Sequence, residues 1–521
     1  MRYFTVIGWI FCLTSFAQNG SLKTDFGQGG KIQLDFDDLD DLVGIIKDDQ
    51  GNNYLYGNTS DNLGGVYPYD FFFARIDEFG DLDPTFGSNG IYRGDFPGFT
   101  SCSVKQAVLH SSGIYFIGQG INNSSLDTFG LFISKINLDG EIDTNFADHG
   151  YFTKDFLGTY NTAGSIIIDS DSKLVFCGST TDDQGTLVEY PILGRLNLNG
   201  DPDSTFGSTG IIAWDYYAGS LVDLLEIAPV LEVRHGDGMY LSEIVEVNNA
   251  YFATGKYQGT ANIELNYMSI TKGGVFNPNF ITTGPHIYQL DPGANHQISD
   301  IAYNGESIYI SIFTDGAMYG QKHLIQKLDT IGVQQDLIIL NEGGFDLRTN
   351  FLECWNDRLF YGGYRLDLNN SGPGYFSDDF TVQCLDELDL PISNFSFNQN
   401  MSTMDELGAK DIEIHDSYAI VGGYMNNVVG DNYTDLCLMA FNVNDQLTIQ
   451  EENKELQIYP NPTNGIIYIN EFSGIFELMD MSGKLVKKGN FNGNIIDLSE
   501  ISPGTYLMKI NDQKALKLTI F

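Results

Sequence analysis

Residues 80–90 read Gly-Asp-Leu-Asp-Pro-Thr-Phe-Gly-Ser-Asn-Gly, and the architecture can be predicted from copies of this segment. It recurs over residues 140–150 as Gly-Glu-Ile-Asp-Thr-Asn-Phe-Ala-Asp-His-Gly, and again over residues 200–210. An earlier copy and progressively weaker later copies begin at Gly20, Gly274, Gly332, Asp389 and Asp445. A repeat period of about 60 residues is typical of an array of small supersecondary units. The eight starting positions bound seven intervals, so the spacing predicts seven such repeats.

Each repeat carries the same order of strand signals. In the second repeat, apolar or alternating runs occupy residues 92–96, 103–109, 113–118 and 131–138, with polar turns between them. Helical periodicity is nearly absent. Four short strands repeated seven times predict an all-β chain whose repeats, residues 18–445, form a seven-bladed β-propeller. The alternative is an open β-solenoid, although solenoid repeats are usually nearer 20–30 residues.

The linker pattern G-x-L-D-x-T-F-G-x-x-G followed by Asp-Phe resembles the delta-60 repeat family. The resemblance covers about residues 19–445 and is specific in the first four copies. It implies a propeller-like domain. It implies no activity, because that family is defined by its repeat and has no known common function.

The N-terminus reads as a secretory signal peptide, residues 1–17. Arg2 supplies a positive charge, residues 4–13 are apolar, and Ser15-Phe16-Ala17 places small residues at a cleavage site. Cleavage is predicted between Ala17 and Gln18. A membrane anchor is the alternative, but the apolar run is about half of the ~20 residues that a spanning helix needs. No other segment approaches that length.

Composition excludes several classes of partner. The chain has 521 residues, with 27 Lys+Arg against 69 Asp+Glu and a net charge of −42. Nucleic acid and anionic lipid are poor partners for such a chain, because both recruit clustered Lys and Arg. Five cysteines remain after removal of the signal, and no Cys-x-x-Cys pair exists, which excludes a zinc ribbon.

The C-terminal residues have a different character. Residues 446–454 form a polar linker, and residues 455–521 carry 6 Lys+Arg against 7 Asp+Glu, so the acidity belongs to the repeats. Short alternating runs separated by Gly and Asn turns predict a small C-terminal β-sandwich of about six or seven strands.

This tail is similar to the type A C-terminal sorting domain of the type IX secretion system. The matching motifs are Tyr459-Pro460-Asn461-Pro462, a turn from Asp480 through Gly483, Pro503-Gly504-Thr505-Tyr506, and the basic-apolar end at 514–521. The resemblance implies the type IX machinery as partner. It implies secretion, or display on the outer-membrane surface of a Gram-negative bacterium. The alternative is an ordinary accessory sandwich.

One candidate metal site follows the linkers. Asp35, Asp95, Asp155 and Asp215 each precede an aromatic residue at the same position of their repeats. If their strands are the innermost of the blades, the four carboxylates would converge on the axis and could hold Ca²⁺, the one cofactor considered. The alternative is that each Asp caps a turn while the aromatic ring packs between blades.

A second candidate lies in the fourth repeat, which is 14 residues longer than the preceding ones. Its Trp214, Tyr216 and Tyr217 could present flat apolar faces to sugar rings. The alternative is packing within the blade. The acidic turns at 137–143 and 197–203 resemble calcium loops but lack the terminal Glu of an EF-hand, and Asx turns explain them as well.

Catalytic motifs are not found. The seven His residues form no His-Glu-x-x-His pair, and no Gly-x-Ser-x-Gly elbow or Walker A loop occurs. The sequence therefore favours non-catalytic binding or scaffolding at the cell envelope, with a surface polysaccharide or an envelope protein as partner. The alternative is a secreted hydrolase or lyase that degrades polysaccharide through paired carboxylates across the propeller mouth.

Overall fold

The computed structural model describes most of the chain between residues 20 and 520. The described ranges are 20–36, 39–60, 69–122, 128–154, 160–181, 189–215, 220–223, 238–258, 262–282, 284–291, 293–316, 320–342, 345–367, 376–385, 391–399, 406–426, 434–443, 458–459, 463, 466–469, 473–480, 484–492, 495–510 and 516–520. The predicted signal peptide and its cleavage site at Ala17 and Gln18 lie outside them. Two compact units divide the chain, an N-terminal unit of residues 1–443 and a C-terminal unit of residues 444–521.

The described part of the N-terminal unit consists of strands and turns, without a helix. Its strands are β1 (Lys31–Leu34), β2 (Leu39–Lys47), β3 (Asn53–Ser60), β4 (Tyr69–Ile76), β5 (Ile91–Gly94), β6 (Ser101–His110), β7 (Gly113–Asn122), β8 (Thr128–Ile136), β9 (Tyr151–Thr153), β10 (Asn161–Ile168), β11 (Lys173–Thr181), β12 (Glu189–Asn197), β13 (Ile211–Asp215), β14 (Ser220–Asp223), β15 (Gly238–Val247), β16 (Ala250–Gln258), β17 (Ile263–Thr271), β18 (His286–Tyr288), β19 (His296–Tyr303), β20 (Ser307–Gly316), β21 (Gly320–Asp329), β22 (Gln334–Ile339), β23 (Asn341–Glu342), β24 (Phe345–Trp355), β25 (Arg358–Asp367), β26 (Phe376–Leu385), β27 (Pro391–Gln399), β28 (Glu406–Ile414), β29 (Tyr418–Asn426) and β30 (Thr434–Asn442).

These strands pair with their sequence neighbours in antiparallel meanders. The sheet orders are β6-β7-β8-β9, β10-β11-β12-β13-β14, β15-β16-β17-β18, β19-β20-β21-β22 and β23-β24-β25-β26-β27. A larger sheet runs β28-β29-β30-β2-β3-β4-β5, and β1 also pairs with β30. The all-β prediction is therefore confirmed for the described residues.

The first and last strands of the N-terminal unit meet. β1 lies antiparallel to β30, with Lys31 opposite Met439 and Leu34 opposite Leu436. The β2 and β30 strands share a single parallel pair, Leu39 with Thr434. The larger sheet thus consists of two meanders, β28-β29-β30 and β2-β3-β4-β5, joined at one residue pair. β1, from the start of the chain, adds a fourth strand to the β28-β29-β30 meander.

We call the first long strand of each meander its opening strand; in the meander that begins with the two-residue β23, this is β24. Each opening strand lies against the opening strand of the next meander. Contacts run from β2 to β6, β10, β15, β19, β24 and β28 in turn, and from β28 back to β2. The hydrophobic cores lie between successive meanders. Val175 and Cys177 of β11, for example, share a core with Met239 of β15 and Ile270 of β17. The middle strands are buried on both faces, which explains their near-continuous apolar sequences.

The repeated Gly-x-x-x-x-x-Phe segments, here called the linker turns, connect the third strand of a meander to its fourth strand, as residues 80–90 do between β4 and β5. The phenylalanine of each is buried, as for Phe26, Phe86, Phe146 and Phe206. A backbone hydrogen bond connects successive turns: the Gly87 amide donates to Asp139 O at 2.7 Å, and the Ala147 amide to Asn199 O at 2.8 Å. The linker turns therefore form a continuous chain of contacts from one meander to the next.

Glycine is required where one linker turn meets another. Gly140 has a φ of +83°, and a Cβ placed on it would lie 2.5 Å from the Gly87 nitrogen. Gly200 and Gly274 meet the preceding linker turn in the same way, at Ala147 and Gly207. The repeated glycines thus serve both backbone conformation and close approach.

The C-terminal unit contains seven described strands in two sheets. They are β31 (Ile458–Tyr459), β32 (Ile466–Ile469), β33 (Ser473–Asp480), β34 (Leu485–Asn492), β35 (Ile495–Asp497), β36 (Gly504–Ile510) and β37 (Leu516–Ile520). The sheet orders are β31-β32-β35 and β34-β33-β36-β37. Both sheets contribute to one core, which includes Ile467, Ile496, Phe476 and Met508. This agrees with the expected strand number and with two packed layers.

Two further expectations concern cysteines and membranes. The five described cysteines, Cys102, Cys177, Cys354, Cys384 and Cys437, are all free thiols. Among the described residues, no helix has the length and apolar character needed to cross a bilayer.

Candidate functional site

A β-bulge interrupts each opening strand where it faces its partner. The register shifts between the following pairs: Leu42/Gly44, Val104/Gln106, Ala163/Ile166, Leu241/Glu243, Ile298/Asp300, Thr349/Phe351 and Ala409/Asp411. A bulge re-aims the side chain beside it and increases the local twist. The residues at these bulges therefore lie at equivalent places where the opening strands meet.

Three of the bulge side chains connect one opening strand to the next. Gln106 accepts the Ile166 amide at 2.6 Å. Asp300 accepts the Leu352 amide at 2.6 Å, and Asp411 accepts the Ile45 amide at 2.8 Å. These amides lie at the disrupted ladder of the next strand, so each bond supplies a partner that the bulge removed. We call these side chains the bulge acceptors.

The bulge in β2 lacks a side chain, since its residue is Gly44. A Cβ there would lie 2.3 Å from the Tyr56 hydroxyl and 2.8 Å from Asp411 Oδ2. The Tyr56 hydroxyl instead bonds to the backbone of Ala107 on β6, and burial raises the pKa of that phenol. A neighbouring strand thus provides the acceptor that Gly44 cannot.

Five carboxyl groups lie together on these strands: Glu243, Asp300, Glu353, Asp411 and Glu413. We call them the axial carboxyls. Burial raises the pKa of Asp300 to about 7 and that of Asp411 to about 8. Burial, reinforced by the charge of Glu413, raises the pKa of Glu353 to about 8. Glu353 is exposed and the other four are half-buried, so solvent reaches all five. Protein nevertheless surrounds them, and the confined water solvates their charge less well than bulk water does.

The remaining two axial carboxyls also have raised pKa values. Burial and the charge of Asp300 raise the pKa of Glu243, whose carboxylate bonds to Ser165. Burial raises the pKa of Glu413, opposed by Lys47, whose Nζ lies 3.0 Å from it. The group therefore favours the neutral form of carboxyls that would be ionised in water.

A cavity of about 250 Å³ opens among the axial carboxyls. Its lining includes Gln106, Glu243, Asp300, Tyr303, Glu353 and Cys354. Two carboxyls in one enclosure with raised pKa values could act as acid and base, or as hydrogen-bonding groups for a small polar ligand. Within the described residues, no group of three or more His, Cys, Asp or Glu side chains could hold a metal ion.

The structure gives a different position to the predicted metal ligands. Asp35 and Asp95 are exposed and follow β1 and β5, the fourth strands of their meanders. Asp215 ends β13, also a fourth strand, and Asp155 lies outside the described residues. The calcium hypothesis assumed that these strands are innermost. The contacts between successive meanders run through the opening strands instead, and the calcium site stays a prediction.

The aromatic residues beside these aspartates pack as the alternative expected. The Phe96 ring lies 4.5 Å from the Tyr151 ring of the next meander. The Phe36 ring contacts Phe72 at 5.0 Å. The aromatic residues of these pairs therefore contribute to packing between meanders.

The predicted aromatic ligand site is only partly described. Trp214 is half-buried and meets Phe276 edge-to-face at 5.3 Å. Tyr216 and Tyr217 lie outside the described residues. The acidic turns are Asx turns, since Asn137 Oδ1 accepts the amides of Asp139 and Glu141, each at 3.0 Å.

The sequence analysis missed the axial carboxyls. A signal exists, because a polar residue directly precedes an apolar one at nearly every bulge, as in Glu243-Ile244, Asp300-Ile301 and Asp411-Ile412. The residue type changes from repeat to repeat, so self-comparison of the linkers does not find it.

The tail motifs lie at turns and strand ends. Asp480 closes a turn in which its Oδ1 accepts the Lys484 amide at 3.1 Å. Gly504 begins β36, and the Tyr506 hydroxyl donates to Ser502 O at 2.7 Å. Tyr459 lies in β31, while Pro460, Asn461, Pro462 and Gly483 lie outside the described residues.

Comparison with solved structures finds similar folds at low identity. PorZ, a surface component of the type IX secretion system of Porphyromonas gingivalis, is 12% identical with a TM-score of 0.32, covering 91% of this chain and 58% of that one. The polysaccharide lyase Uly1 is 8% identical with a TM-score of 0.43, covering 77% and 89%. An ulvan lyase of family PL25 is 11% identical with a TM-score of 0.41, covering 78% and 95%. This chain thus spans just over half the length of the PorZ chain.

Sequence comparison is informative only for the tail. A search of curated proteins finds no match to this chain. Residues 457–520 match the family of secretion system C-terminal sorting domains. This confirms the sorting domain expected from the motifs. The tail therefore marks the protein for type IX secretion, and export places it at the cell surface or outside the cell.

Proposed function

We propose that this chain is a secreted or surface-displayed protein of the cell envelope whose N-terminal unit is a seven-bladed β-propeller that binds or scaffolds without catalysing a reaction. A signal peptide of residues 1–17 directs it to the periplasm. The delta-60-like repeats of residues 18–445 form the propeller. A linker of residues 446–454 leads to the sorting domain of residues 455–521, which the type IX machinery recognises.

The strand pairing supports the seven blades. Seven opening strands contact one another in a cycle, and each is followed by a meander. The seventh meander contains β28, β29 and β30, and β1 supplies its fourth strand. Joining the first and last strands in one blade closes such a ring without exposed sheet edges.

One observation carries the non-catalytic assignment. Asp300 and Asp411 each accept two backbone amides, one from their own strand and one from the next. Neutral Gln106 does the same connecting work at the equivalent bulge. Two of the five axial carboxyls are therefore occupied by structural hydrogen bonds, as an uncharged side chain is elsewhere.

The ligand is proposed to be a surface polysaccharide or an envelope protein. Connections between the second and third strands of each meander, and those leading to the next opening strand, emerge at the same end of the sheets. Trp214 lies near the end of β13, a fourth strand, and so at that end, and Tyr216 and Tyr217 follow it in the sequence. Loops on a rigid scaffold are the usual location of binding residues.

Export is tested by removing residues 457–520 from the chain expressed in a type IX-competent host. The truncated protein should stay in the periplasm, while the full chain reaches the surface or the medium. Protease resistance of the retained N-terminal unit is the control for folding. Export of the truncated but folded protein would contradict the assigned route.

Binding is tested by applying the secreted protein to arrays of envelope polysaccharides and to extracts of envelope proteins. A specific, saturable partner is expected. A Trp214→Ala variant should weaken binding if the fourth-repeat insertion takes part. The exposed Phe79→Ala variant on a linker turn is the matched control. No partner above background on either array would contradict the binding function.

A second function, polysaccharide cleavage, is favoured by one observation: Glu243 and Asp300 share the 250 Å³ cavity. That volume is below the roughly 300–1,000 Å³ typical of ligand pockets, so this function is placed second. Release of oligosaccharides by the full chain, abolished by Glu243→Gln but not by the exposed Glu306→Gln, would establish it. Full activity of Glu243→Gln would exclude this pair as the catalytic groups.

A further inference from the structure

The axial carboxyls come from four consecutive opening strands. Glu243 lies on β15, Asp300 on β19, Glu353 on β24, and Asp411 and Glu413 on β28. Their charges act on one another across the strands. The charge of Asp300 raises the pKa values of Glu243, Glu353 and Asp411, and the charge of Glu413 raises the pKa of Glu353. The group therefore spans more than half of the ring of opening strands.

Few cations face this group. Lys47 on β2 pairs with Glu413 and also donates to the Ile414 carbonyl. Lys410 on β28 is 3.2 Å from Asp41 of β2. Lys105 on β6 lies near Asp41 and Lys410, and burial lowers the pKa of its ammonium group. Five carboxyls thus have one direct cationic partner among the described residues.

The other groups that face the carboxyls are neutral near pH 7. Ser165 on β10 bonds to Glu243, and Gln106 on β6 lines the same cavity. Burial raises the pKa of the Cys354 thiol to about 12 and that of the Tyr56 phenol as well. Burial lowers the pKa of His415 to about 4, and its Nε2 bonds to Asn53. None of these groups compensates ionised carboxylates.

Two of the five carboxyls also hold the strands together. Asp300 connects β19 to β24, and Asp411 connects β28 to β2. Ionisation strengthens each individual hydrogen bond to an amide. It also adds a negative charge beside the other axial carboxyls, three of which line one cavity, and the resulting repulsion between the strands opposes that gain.

We propose that the axial carboxyls make the packing of the opening strands depend on pH, so that the ring is tight when most of them are protonated and loosens as they ionise. The device is intrinsic to the propeller and needs no ligand. It predicts that the opening strands pack more tightly in acidic than in alkaline surroundings.

The sign follows from proton linkage. The folded-state pKa values lie above the usual carboxyl value of about 4, so the folded protein binds more protons than the unfolded chain between about pH 4 and 8. This contribution is therefore greatest below pH 4, and it is lost as pH rises through the folded pKa values of about 7 and 8. Replacing one of these carboxyls by an uncharged side chain should make the loss of stability with rising pH smaller.

The first test measures the melting temperature of the full chain between pH 5.5 and 8.5. The first transition of the N-terminal unit should fall by about 5 °C across that range. Glu353→Gln and Glu243→Gln should each reduce the fall, because each removes one ionisable group while preserving shape. Glu306→Gln, an exposed substitution in the hairpin after β19, should leave the slope unchanged. Equal slopes in all four proteins would overturn the proposal.

The second test reads the strands directly by hydrogen exchange, corrected for the intrinsic rate at each pH. The amides of Ile45 and Leu352, which bond to Asp411 and Asp300, should lose at least fivefold of their protection between pH 6 and 8.5. Amides of β33 and β36 in the C-terminal unit serve as controls within the same chain. This readout on the unaltered protein decides the matter if a variant fails to fold. Unchanged protection at Ile45 and Leu352 would exclude the device.

Discussion

The linker turns and the bulges of the opening strands are both repeated around the N-terminal unit, but only the linker turns are visible in the sequence. A linker turn needs a phenylalanine to fill a buried site and a glycine to meet its neighbour, as at Phe86 and Gly140. A bulge is a property of the backbone, and its acceptor is Gln106 in one meander and Asp300 or Asp411 in others.

The difference shows which contacts fix residue identity. Where a contact depends on volume or on a positive φ, few residues can replace the original, and the repeat stays legible. Where a contact needs only an oxygen within reach of an amide, several residues serve, and the repeat disappears from the sequence. The side chains at the bulges of the opening strands could therefore diversify while the contacts between meanders were kept.

The largest effect should come from the linker phenylalanines. Phe86→Ala removes a fully buried ring and should lower the free energy of unfolding by about 3–5 kcal/mol. Urea denaturation of the full chain measures it. Phe79→Ala is the matched control, since Phe79 belongs to the same turn but is 46% exposed, and it should cost less than about 1 kcal/mol. Equal losses would mean that burial is not what fixes this position.

An intermediate effect is expected for the linker glycines. Gly140→Ala should cost about 2–4 kcal/mol, because strain at positive φ adds to a clash with the Gly87 nitrogen. Gly29→Ala is the control: its φ is +67°, but nothing lies within 4 Å of an added Cβ. It should cost only about 1 kcal/mol. If thermal melting finds the two variants alike, close approach does not determine Gly140.

The smallest effect, and the most informative about the axis, concerns Gln106. Gln106→Ala leaves the Ile166 amide without its acceptor and should cost about 1–3 kcal/mol. Gln106→Glu keeps an oxygen in place, so it should be nearly neutral at pH 6 and destabilising at pH 8.5, where a further negative charge joins the axial carboxyls. Denaturation curves at both pH values decide, and pH-independent behaviour of Gln106→Glu would argue that the axis does not sense charge.

Sequence reasoning captured the parts of the molecule that depend on specific side chains. The alternating strand signals predicted the all-β class, and Tyr506 and Asp480 belonged to the motifs that marked the sorting domain. Sequence reasoning could not determine that Asp35 and Asp95 follow the fourth strands of their meanders, because the order of strands within a sheet is not encoded in a repeat. A pattern that recurs every 60 residues is the same whichever strand lies innermost.

The axial carboxyls were missed for a related reason. Glu353 and Asp411 are single polar residues in apolar strands, and acids at such places are usually solvated at a sheet edge. Only the meeting of distant strands, β24 with β28 and β28 with β2, brings them together. Their altered acidity is a property of that meeting and not of any local sequence.

The pairing of β1 with β30 has a consequence for biosynthesis. The strand that receives the first residues of the fold lies immediately before the segment that bears the export address. A polypeptide interrupted before Thr434 would lack both β30, which pairs with β1, and the sorting domain. Premature products would thus be unable to finish folding and unable to leave, so quality control and transport are tied to the same stretch of chain.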